Sequence, residues 1–331
     1  MPLLLAADIG ATNSRFALFS VTLADVVPHS WQLEAEQWFA TADYANFAAL
    51  AHAVLSSGEM PLVPPGTLGA CLGIAGPICG TSCQPPNISW SIEQDEAARA
   101  LGISQILLVN DFVALGHACL LACKAGPVRE ALRIRCIHPG AASVDPAAPL
   151  ALVGAGSGCG KALILPRENL VLPSEGGHAA LAFRAEEKDL ADFLRKRCNS
   201  TPVVETLVSG SGLAALYAWH CGEELLPPEA CARVKARTST GAARVLEDFA
   251  RFYGRACRNY ALEILPLGGL YIGGGMASRL PVLEHPAFLS EFFESPRMSE
   301  LLRAIPIYHI ASQQAGLWGA AACGALHVQG K

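Results

Sequence analysis

The sequence lacks the features that define several large classes of protein. Its 331 residues contain no run of 18 apolar residues, so no transmembrane helix is predicted. The first apolar run has no basic segment before it and ends at Asp8, which is unlike a signal peptide. Charged residues make up only 16% of the chain, net charge is -5, and no stripe of Lys or Arg is present to neutralise phosphates. We therefore expect neither a membrane nor a nucleic acid as a partner.

Cysteine is present twelve times, but not in the spacing of a disulfide framework or a zinc site. The near pairs Cys79/Cys83 and Cys119/Cys123 have three residues between their members, and the second pair lies in an apolar helical pattern. Because no export signal is seen, we expect reduced thiols in the cytoplasm.

What the sequence does contain is an alternation of buried strands and helices. Apolar residues make up 52%, and the length suits two lobes rather than one core. The alternation predicts an α/β fold with largely buried sheets. Strands are predicted over 3–7, 15–21, 67–75, 106–109, 150–153, 161–165 and 269–272. Helices are predicted over 41–55 with Thr41 as N-cap, 92–101, 112–123, 186–197, 212–220, 242–264 and 316–326.

Three glycine turns each follow a buried strand, after Asp8, Val153 and Ile272. Glycine lets backbone N–H groups approach an anion closely, so three such turns favour a split nucleotide site and leave its ligand open. None has the Walker pattern, because Gly160-Lys161 is followed by Ala162, and the first two turns lead into strands, unlike a dinucleotide fingerprint. Since a strand–turn–strand unit occurs twice, we expect the two lobes to share one plan.

Several acidic residues allow two interpretations from spacing alone. Asn110-Asp111 ends a strand and opens a helix, so it is either an N-cap or a ligand-binding pair at the carboxyl end of a strand. Glu175 and His178 lie in a predicted turn, which is either a plain hairpin turn or a site. Glu205 precedes a predicted helix start and is either a surface charge or a ligand.

The motifs in their order along the chain resemble the bacterial glucokinases of the hexokinase–actin–Hsp70 ATPase superfamily. The resemblance covers nearly the whole chain and is carried by Asp8-Ile9-Gly10-Ala11-Thr12-Asn13-Ser14-Arg15, Ile74-Ala75-Gly76-Pro77, Val109-Asn110-Asp111-Phe112, Gly154-Ala155-Gly156-Ser157-Gly158, Leu172-Pro173-Ser174-Glu175-Gly176-Gly177-His178, Glu205-Thr206-Leu207-Val208-Ser209-Gly210 and Ile272-Gly273-Gly274-Gly275. It implies a two-lobed hexokinase/actin-like (ribonuclease H-like) α/β fold with a central cleft. The implied small lobe is 1–111 completed by the helix 312–331, and the implied large lobe is 112–311.

The resemblance also implies a role for each matching residue. Asp111 matches the general base, and Asn110, Glu175, His178 and Glu205 match the other glucose contacts. ATP contacts are implied for Ala7, Asp8, Ile9, Gly10, Ala11, Thr12, Asn13, Gly154, Gly156, Ser157, Gly158, Gly273, Gly274 and Gly275, with Asp8 orienting Mg²⁺ through water. The implied protein is a cytoplasmic, homodimeric, ATP-dependent kinase of the 6-hydroxyl of glucose.

The sequence departs from the family pattern at three places. Ala11 replaces a glycine of the first turn, and Pro86-Asn87 stands where Thr-Asn is usual near the sugar. The related ROK proteins carry a cysteine cluster after the turn that matches 175–178, but no Cys lies between His178 and Cys198, so structural zinc is not expected.

Two alternatives to a glucokinase stay open. One is a kinase of another hexose, and the other is a non-catalytic sugar-sensing regulator. A ROK repressor would carry an amino-terminal DNA-binding module, whereas this sequence begins at the phosphate turn and retains Asp111. An enzyme is therefore favoured.

Overall fold

The computed structural model describes residues 1–21, 31–56, 63–124, 126–141, 145–237 and 239–330. The chain forms two compact units, one of Met1–Arg133 with Ser312–Lys331 and the other of Ile134–Ala311. In the described ranges the strands are β1 (Leu3–Ile9), β2 (Asn13–Ser20), β3 (Gln32–Ala40), β4 (Thr67–Ile74), β5 (Ile78–Cys79), β6 (Ser82–Cys83), β7 (Ile92–Glu93), β8 (Ile106–Asn110), β9 (Ile134–His138), β10 (Leu150–Ala155), β11 (Cys159–Leu165), β12 (Leu170–Ser174), β13 (Gly269–Gly273) and β14 (Ile307–Ile310).

The helices described are α1 (Phe47–Ser56), α2 (Gln94–Leu101), α3 (Asp111–Lys124), α4 (Gly126–Ala131), α5 (Lys188–Cys198), α6 (Val204–Leu207), α7 (Gly210–Cys221), α8 (Pro227–Lys235), α9 (Thr240–Ile264), α10 (Gly275–Arg279), α11 (Pro286–Phe292), α12 (Ser299–Ala304) and α13 (Ala315–Val328). Short 3-10 turns occupy Thr41–Asp43, Gly176–His178 and Ala185–Glu187. None of the helices described is long and apolar enough to cross a membrane.

The first unit is built on a five-stranded sheet in the order β3-β2-β1-β4-β8. β1 pairs antiparallel with β2, which confirms the predicted hairpin, and parallel with β4, which in turn pairs parallel with β8. Helix α13 packs against β1, β4 and α3. The approach of α13 to α3 requires a glycine, because a Cβ at Gly319 would lie 1.7 Å from the carbonyl oxygen of Ala114.

The division between the units follows the packing of α3. The boundary expected from the resemblance lies at residue 111, between β8 and α3. In the structure α3 and α4 belong to the amino-terminal unit, which continues to Arg133. The physical reason is that α3 packs along α13, so both helices cover the same sheet.

The second unit repeats the plan of the first. Its six-stranded sheet has the order β12-β11-β10-β13-β14-β9, in which β10–β11–β12 are antiparallel and β10–β13–β14 are parallel. The first five strands correspond in order and direction to β3-β2-β1-β4-β8, and the added edge strand β9 is antiparallel to β14. The long helix α9 supplies much of the core, including the buried residues Phe249, Phe252 and Tyr253.

Helix α1 and strand β3 of the first unit differ from the sequence prediction. Helix α1 begins at Phe47, and the side chain of Asn46 accepts the N–H of Ala49 at 2.9 Å, so Thr41 is not its cap. Thr41 is instead buried and bonded to the first glycine turn. Strand β3 was not predicted, because its alternation of half-buried polar and apolar residues lacks a continuous apolar run.

Candidate active site

The first glycine turn, residues 10–13, is fixed by hydroxyl groups beneath it. The N–H of Gly10 donates to the carbonyl of Asn13 at 3.0 Å. Thr41 donates its hydroxyl to the Gly10 carbonyl at 2.7 Å and its N–H to the Thr12 carbonyl at 3.1 Å. Its hydroxyl also lies 2.9 Å from that of the buried Ser14. The turn therefore keeps its shape without a charged support.

Asp8 lies at the start of this turn, on β1 opposite Arg15 of β2. Its carboxylate is partly exposed and lies 3.9 Å from the Arg15 guanidinium. Burial raises the pKa of Asp8, and the Arg15 charge acts in the opposite direction. A Cβ at Gly316, in the first turn of α13, would lie 3.1 Å from an Asp8 carboxylate oxygen. The missing side chain at 316 thus leaves room for this acid.

Asn110 and Asp111 contribute differently to the start of α3. The Asn110 side-chain oxygen accepts the N–H groups of Phe112 at 2.9 Å and Val113 at 3.3 Å, and its amide donates to the Gly76 carbonyl at 3.1 Å. Asn110 therefore caps α3. The Asp111 carboxylate accepts the N–H of Phe112 at 3.0 Å and is half-buried. Because Asn110 supplies the cap, Asp111 is not required for it.

These residues share one edge of the first sheet. The register aligns Ile9 of β1 with Ile74 of β4 and Ile74 with Asn110 of β8. The first glycine turn and Asp111 thus follow the carboxyl ends of neighbouring parallel strands, where α/β proteins bind ligands. Beside them, a Cβ at Gly76 would lie 3.2 Å from Pro86 Cδ, so the unusual Pro86 packs directly on the glycine whose carbonyl holds Asn110.

The second glycine turn, residues 156–158, closes the hairpin β10–β11. The N–H of Gly156 donates to the Gly158 carbonyl at 2.8 Å, and the Gly156 carbonyl accepts the N–H of Gly210, the first residue of α7, at 2.8 Å. Ser209 caps α7 by accepting the N–H of Gly212 at 3.0 Å. A Cβ at Gly156 would meet no atom within 4 Å. This turn therefore presents an open face and is held by the amino end of a helix.

Glu205 is a support of the second turn. One of its carboxylate oxygens accepts the N–H of Cys159 at 2.8 Å. A Cβ at Gly158 would lie only 2.4 Å from the same oxygen. Glycine at 158 is thus needed for the close approach of Glu205, which joins a predicted sugar contact to a predicted phosphate turn.

The turn that carries Glu175 and His178 packs on the same hairpin. A Cβ at Gly177 would lie 1.9 Å from the Cys159 carbonyl oxygen, so this backbone contact needs glycine. The side chains of Glu175 and His178 are 69% and 65% exposed, and the Glu175 Oε2 and His178 Nε2 atoms are 4.0 Å apart. Cys159 therefore contacts both segments. Its N–H donates to Glu205, and its carbonyl oxygen lies against Gly177.

The third glycine turn adjoins the second. The parallel register aligns Gly154 with Gly273. A Cβ at Gly274, whose φ is +86°, would lie 2.4 Å from the Ala155 carbonyl oxygen. The hydroxyl of the buried Tyr253 accepts the N–H of Ala155 at 3.1 Å and donates to the Gly273 carbonyl at 3.4 Å. Tyr253 thereby ties the two turns together.

Each unit thus brings together part of the predicted site. The first unit holds residues 7–13 with Asn110 and Asp111 at one sheet edge, and the second holds Glu205, the turn with Glu175 and His178, and the other two glycine turns. Sequence reasoning missed Thr41, Ser14 and Tyr253 as supports, because each acts on a residue far away in the chain. Lys161, which the sequence relates only to an incomplete Walker pattern, lies against Gly176.

Comparison with known proteins identifies the family. The family model described as "Glucokinase" matches residues 5–327. The chain belongs to the glucokinase family. A glucokinase of Nostoc sp. is 32% identical, over 98% of this chain and 99% of its own length.

Solved structures agree with this assignment at the level of the fold. The glucokinase of an Antarctic psychrotroph matches with a TM-score of 0.76 at 29% identity, covering 98% of both chains. The glucokinase of Balamuthia mandrillaris, solved in complex with glucose, matches with a TM-score of 0.77 at 18% identity, covering 99% of this chain and 94% of its own. The predicted family and two-lobed α/β kinase fold class are therefore confirmed.

Proposed function

We propose that this chain transfers the γ-phosphoryl group of ATP to the 6-hydroxyl of glucose. Membership of the glucokinase family supports the reaction class. The observation that carries the assignment of the base is the arrangement at the end of β8, where Asn110 caps α3 and the Asp111 carboxylate is not needed for the cap.

In this reaction Asp111 accepts the proton of the 6-hydroxyl as the hydroxyl oxygen attacks the γ-phosphorus. The bond from that phosphorus to the β–γ bridging oxygen breaks, and ADP and glucose 6-phosphate are the products. Asn110, Glu175, His178 and Glu205 bind the other sugar hydroxyls, because carboxylate, amide and imidazole groups pair well with hydroxyl groups.

The glycine turns suit a polyphosphate in two respects. Their N–H groups follow buried strands, and the space above Gly156 is open. Asp8 suits Mg²⁺, because its carboxylate is partly exposed at the first turn and hard oxygen ligands are the ones that Mg²⁺ prefers. When bound, the ion would neutralise phosphate charge, and Asp8 would hold it through water.

Turnover with ATP and Mg²⁺ on glucose, mannose, fructose and N-acetylglucosamine tests the proposal. Glucose should have the highest kcat/KM, and His178→Ala should lower that value by roughly tenfold to a hundredfold, because a hydroxyl partner is lost. A higher value for another hexose would make the chain a kinase of that sugar. No turnover with any hexose would contradict the proposed function and favour a regulator.

We also propose the cytoplasmic homodimer that the family resemblance implies. Light scattering at micromolar concentration should give a mass near twice 34.7 kDa. A mass of one chain at every concentration would contradict the dimer and leave the proposed reaction unaffected.

A further inference from the structure

Lys161 is a buried cation that the proposed reaction does not use. It lies on β11, three residues beyond the end of the second glycine turn, and is only 3% exposed. Among the residues that the structure describes, no carboxylate oxygen lies within 4.0 Å of its Nζ. Burial of an ammonium group without an ion pair is costly, so this lysine needs compensating contacts.

The contacts of Lys161 lead to the turn that carries Glu175. Its Nζ lies over the ring of Tyr260, 4.9 Å from the centroid, in a cation–π arrangement. Measured from the position that a Cβ would take at Gly176, Lys161 Cδ is 2.9 Å and Nζ 3.2 Å away. The long side chain therefore runs directly beneath the backbone of Gly176.

Tyr260 completes the support from the other side of Glu175. Burial raises the pKa of Tyr260, and the nearby side chain of Ser174 acts in the opposite direction, so the two side chains lie close together. The Ser174 hydroxyl accepts the N–H of Gly176 at 3.1 Å. Lys161 and Tyr260 thus hold the residues on both sides of Glu175, and we call these three side chains, Lys161, Tyr260 and Ser174, the lysine shelf.

The exposure of the turn's own side chains makes this support necessary. Glu175 and His178 are mostly exposed, and the 4.0 Å separation between Glu175 Oε2 and His178 Nε2 is too long for a hydrogen bond. Their placement before a ligand binds is therefore set by the backbone of the turn. The backbone in turn rests on Cys159 through Gly177 and on the lysine shelf through Ser174 and Gly176.

We infer that Lys161 is a positioning residue for glucose. Through the lysine shelf, Lys161 fixes the backbone of the turn that carries Glu175 and His178. The inference rests on the proposed function for the identity of the sugar. Because Lys161 lies against the backbone of the turn that carries two proposed sugar contacts, its effect should fall on the affinity for the sugar rather than on the affinity for ATP.

The test compares Lys161→Met, which keeps the length of the side chain and removes its charge, with Lys161→Arg and the exposed control Lys196→Met. In the ligand-free protein, hydrogen exchange of the peptide spanning 174–179 should be about tenfold faster in Lys161→Met and unchanged in the control. KM for glucose should rise about tenfold while KM for ATP stays within about twofold. Lys161→Arg should recover part of both effects.

Tyr260→Phe keeps the ring against the ammonium and removes only the hydroxyl near Ser174, so it gives a milder second test if Lys161→Met does not fold. It should accelerate exchange of the same peptide by a few fold. Unchanged exchange and unchanged KM for glucose in the folded variants would overturn the inference, as would an equal rise of both KM values. If the wild type phosphorylates no hexose, the proposed function fails, and the exchange measurement alone decides whether Lys161 positions the turn.

Discussion

The hairpins β1–β2 and β10–β11 occupy equivalent places in two sheets of the same strand order, yet their glycine turns are supported differently. The first turn rests on the neutral hydroxyls of Thr41 and Ser14. The second rests on the carboxylate of Glu205 and on the amino end of α7 at Gly210. Equivalent topology therefore does not require the same kind of side chain to support a glycine turn.

The difference extends to the acids that we assign to the reaction. In the first unit the helix cap is supplied by Asn110, a different residue from Asp111, which we propose as the base. In the second unit Glu205 is both a proposed sugar contact and the acceptor for the Cys159 N–H. Structure and chemistry are thus separable in the first unit and combined in the second, which substitutions can test.

The largest effect should come from Asp111→Asn, for which the first unit predicts lost chemistry with retained stability. Turnover should fall by a factor on the order of 10² or more, because an amide does not accept the proton. The free energy of unfolding should change by less than about 1 kcal/mol, the value of a carboxylate in the first turn of a helix. Steady-state kinetics measure the turnover, and thermal unfolding measures the change in stability. Near-normal turnover would show that Asp111 is not the base.

Glu205→Ala should lower both activity and stability, in contrast to Asp111→Asn. It removes a proposed sugar contact and leaves the Cys159 N–H without its acceptor, which costs about 1–3 kcal/mol of unfolding free energy. KM for glucose should rise roughly tenfold to a hundredfold. In Glu205→Gln the side-chain oxygen can still accept the N–H, so stability should recover more than activity. Equal recovery of both would contradict the double role.

Gly158→Ala and Gly156→Ala form a matched pair within the second turn. A Cβ at 158 would collide with Glu205, and overpacking of this kind costs about 1–3 kcal/mol. A Cβ at 156 meets open space in the ligand-free protein. Denaturant unfolding should therefore show a lower free energy of unfolding for Gly158→Ala and an almost unchanged one for Gly156→Ala. Equal stability of the two variants would mean that Glu205 does not press against Gly158.

The smallest effect should come from Thr41→Val beneath the first turn. Loss of the hydroxyl leaves the Gly10 carbonyl and the Ser14 hydroxyl with one partner fewer, at a cost of about 1 kcal/mol. KM for ATP should rise a few fold and KM for glucose should stay constant. Thr81→Val, at an exposed position of the same unit, is the control. If Thr41→Val lowered the free energy of unfolding as much as Glu205→Ala does, the neutral support of the first turn would matter as much as the charged support of the second.

The sequence predicted the parts of this fold that local patterns encode. Both hairpins can be predicted because an apolar run lies on each side of a glycine cluster. Helix α9 can be predicted because its apolar spacing continues over several turns. Strand β3 cannot be predicted in this way, because an alternation of half-buried residues is ambiguous. The start of α1 is mispredicted because Thr41 bonds to the first glycine turn rather than capping a helix. In the site, residue types and order suggested the sugar and phosphate contacts. The joining of Glu205 to Cys159 depends on a tertiary contact that no local pattern reports.

Helix α13 belongs to the unit that the amino terminus begins, and this sets an order of events during synthesis. The second unit is a continuous segment, so all of its strands have been synthesised before α13 is made. The first unit reaches its final packing only when residues 315–328 are available to cover β1, β4 and α3. Until then the amino-terminal sheet lacks the helix that covers one of its apolar faces, and exposed apolar surface of this kind favours aggregation and chaperone binding.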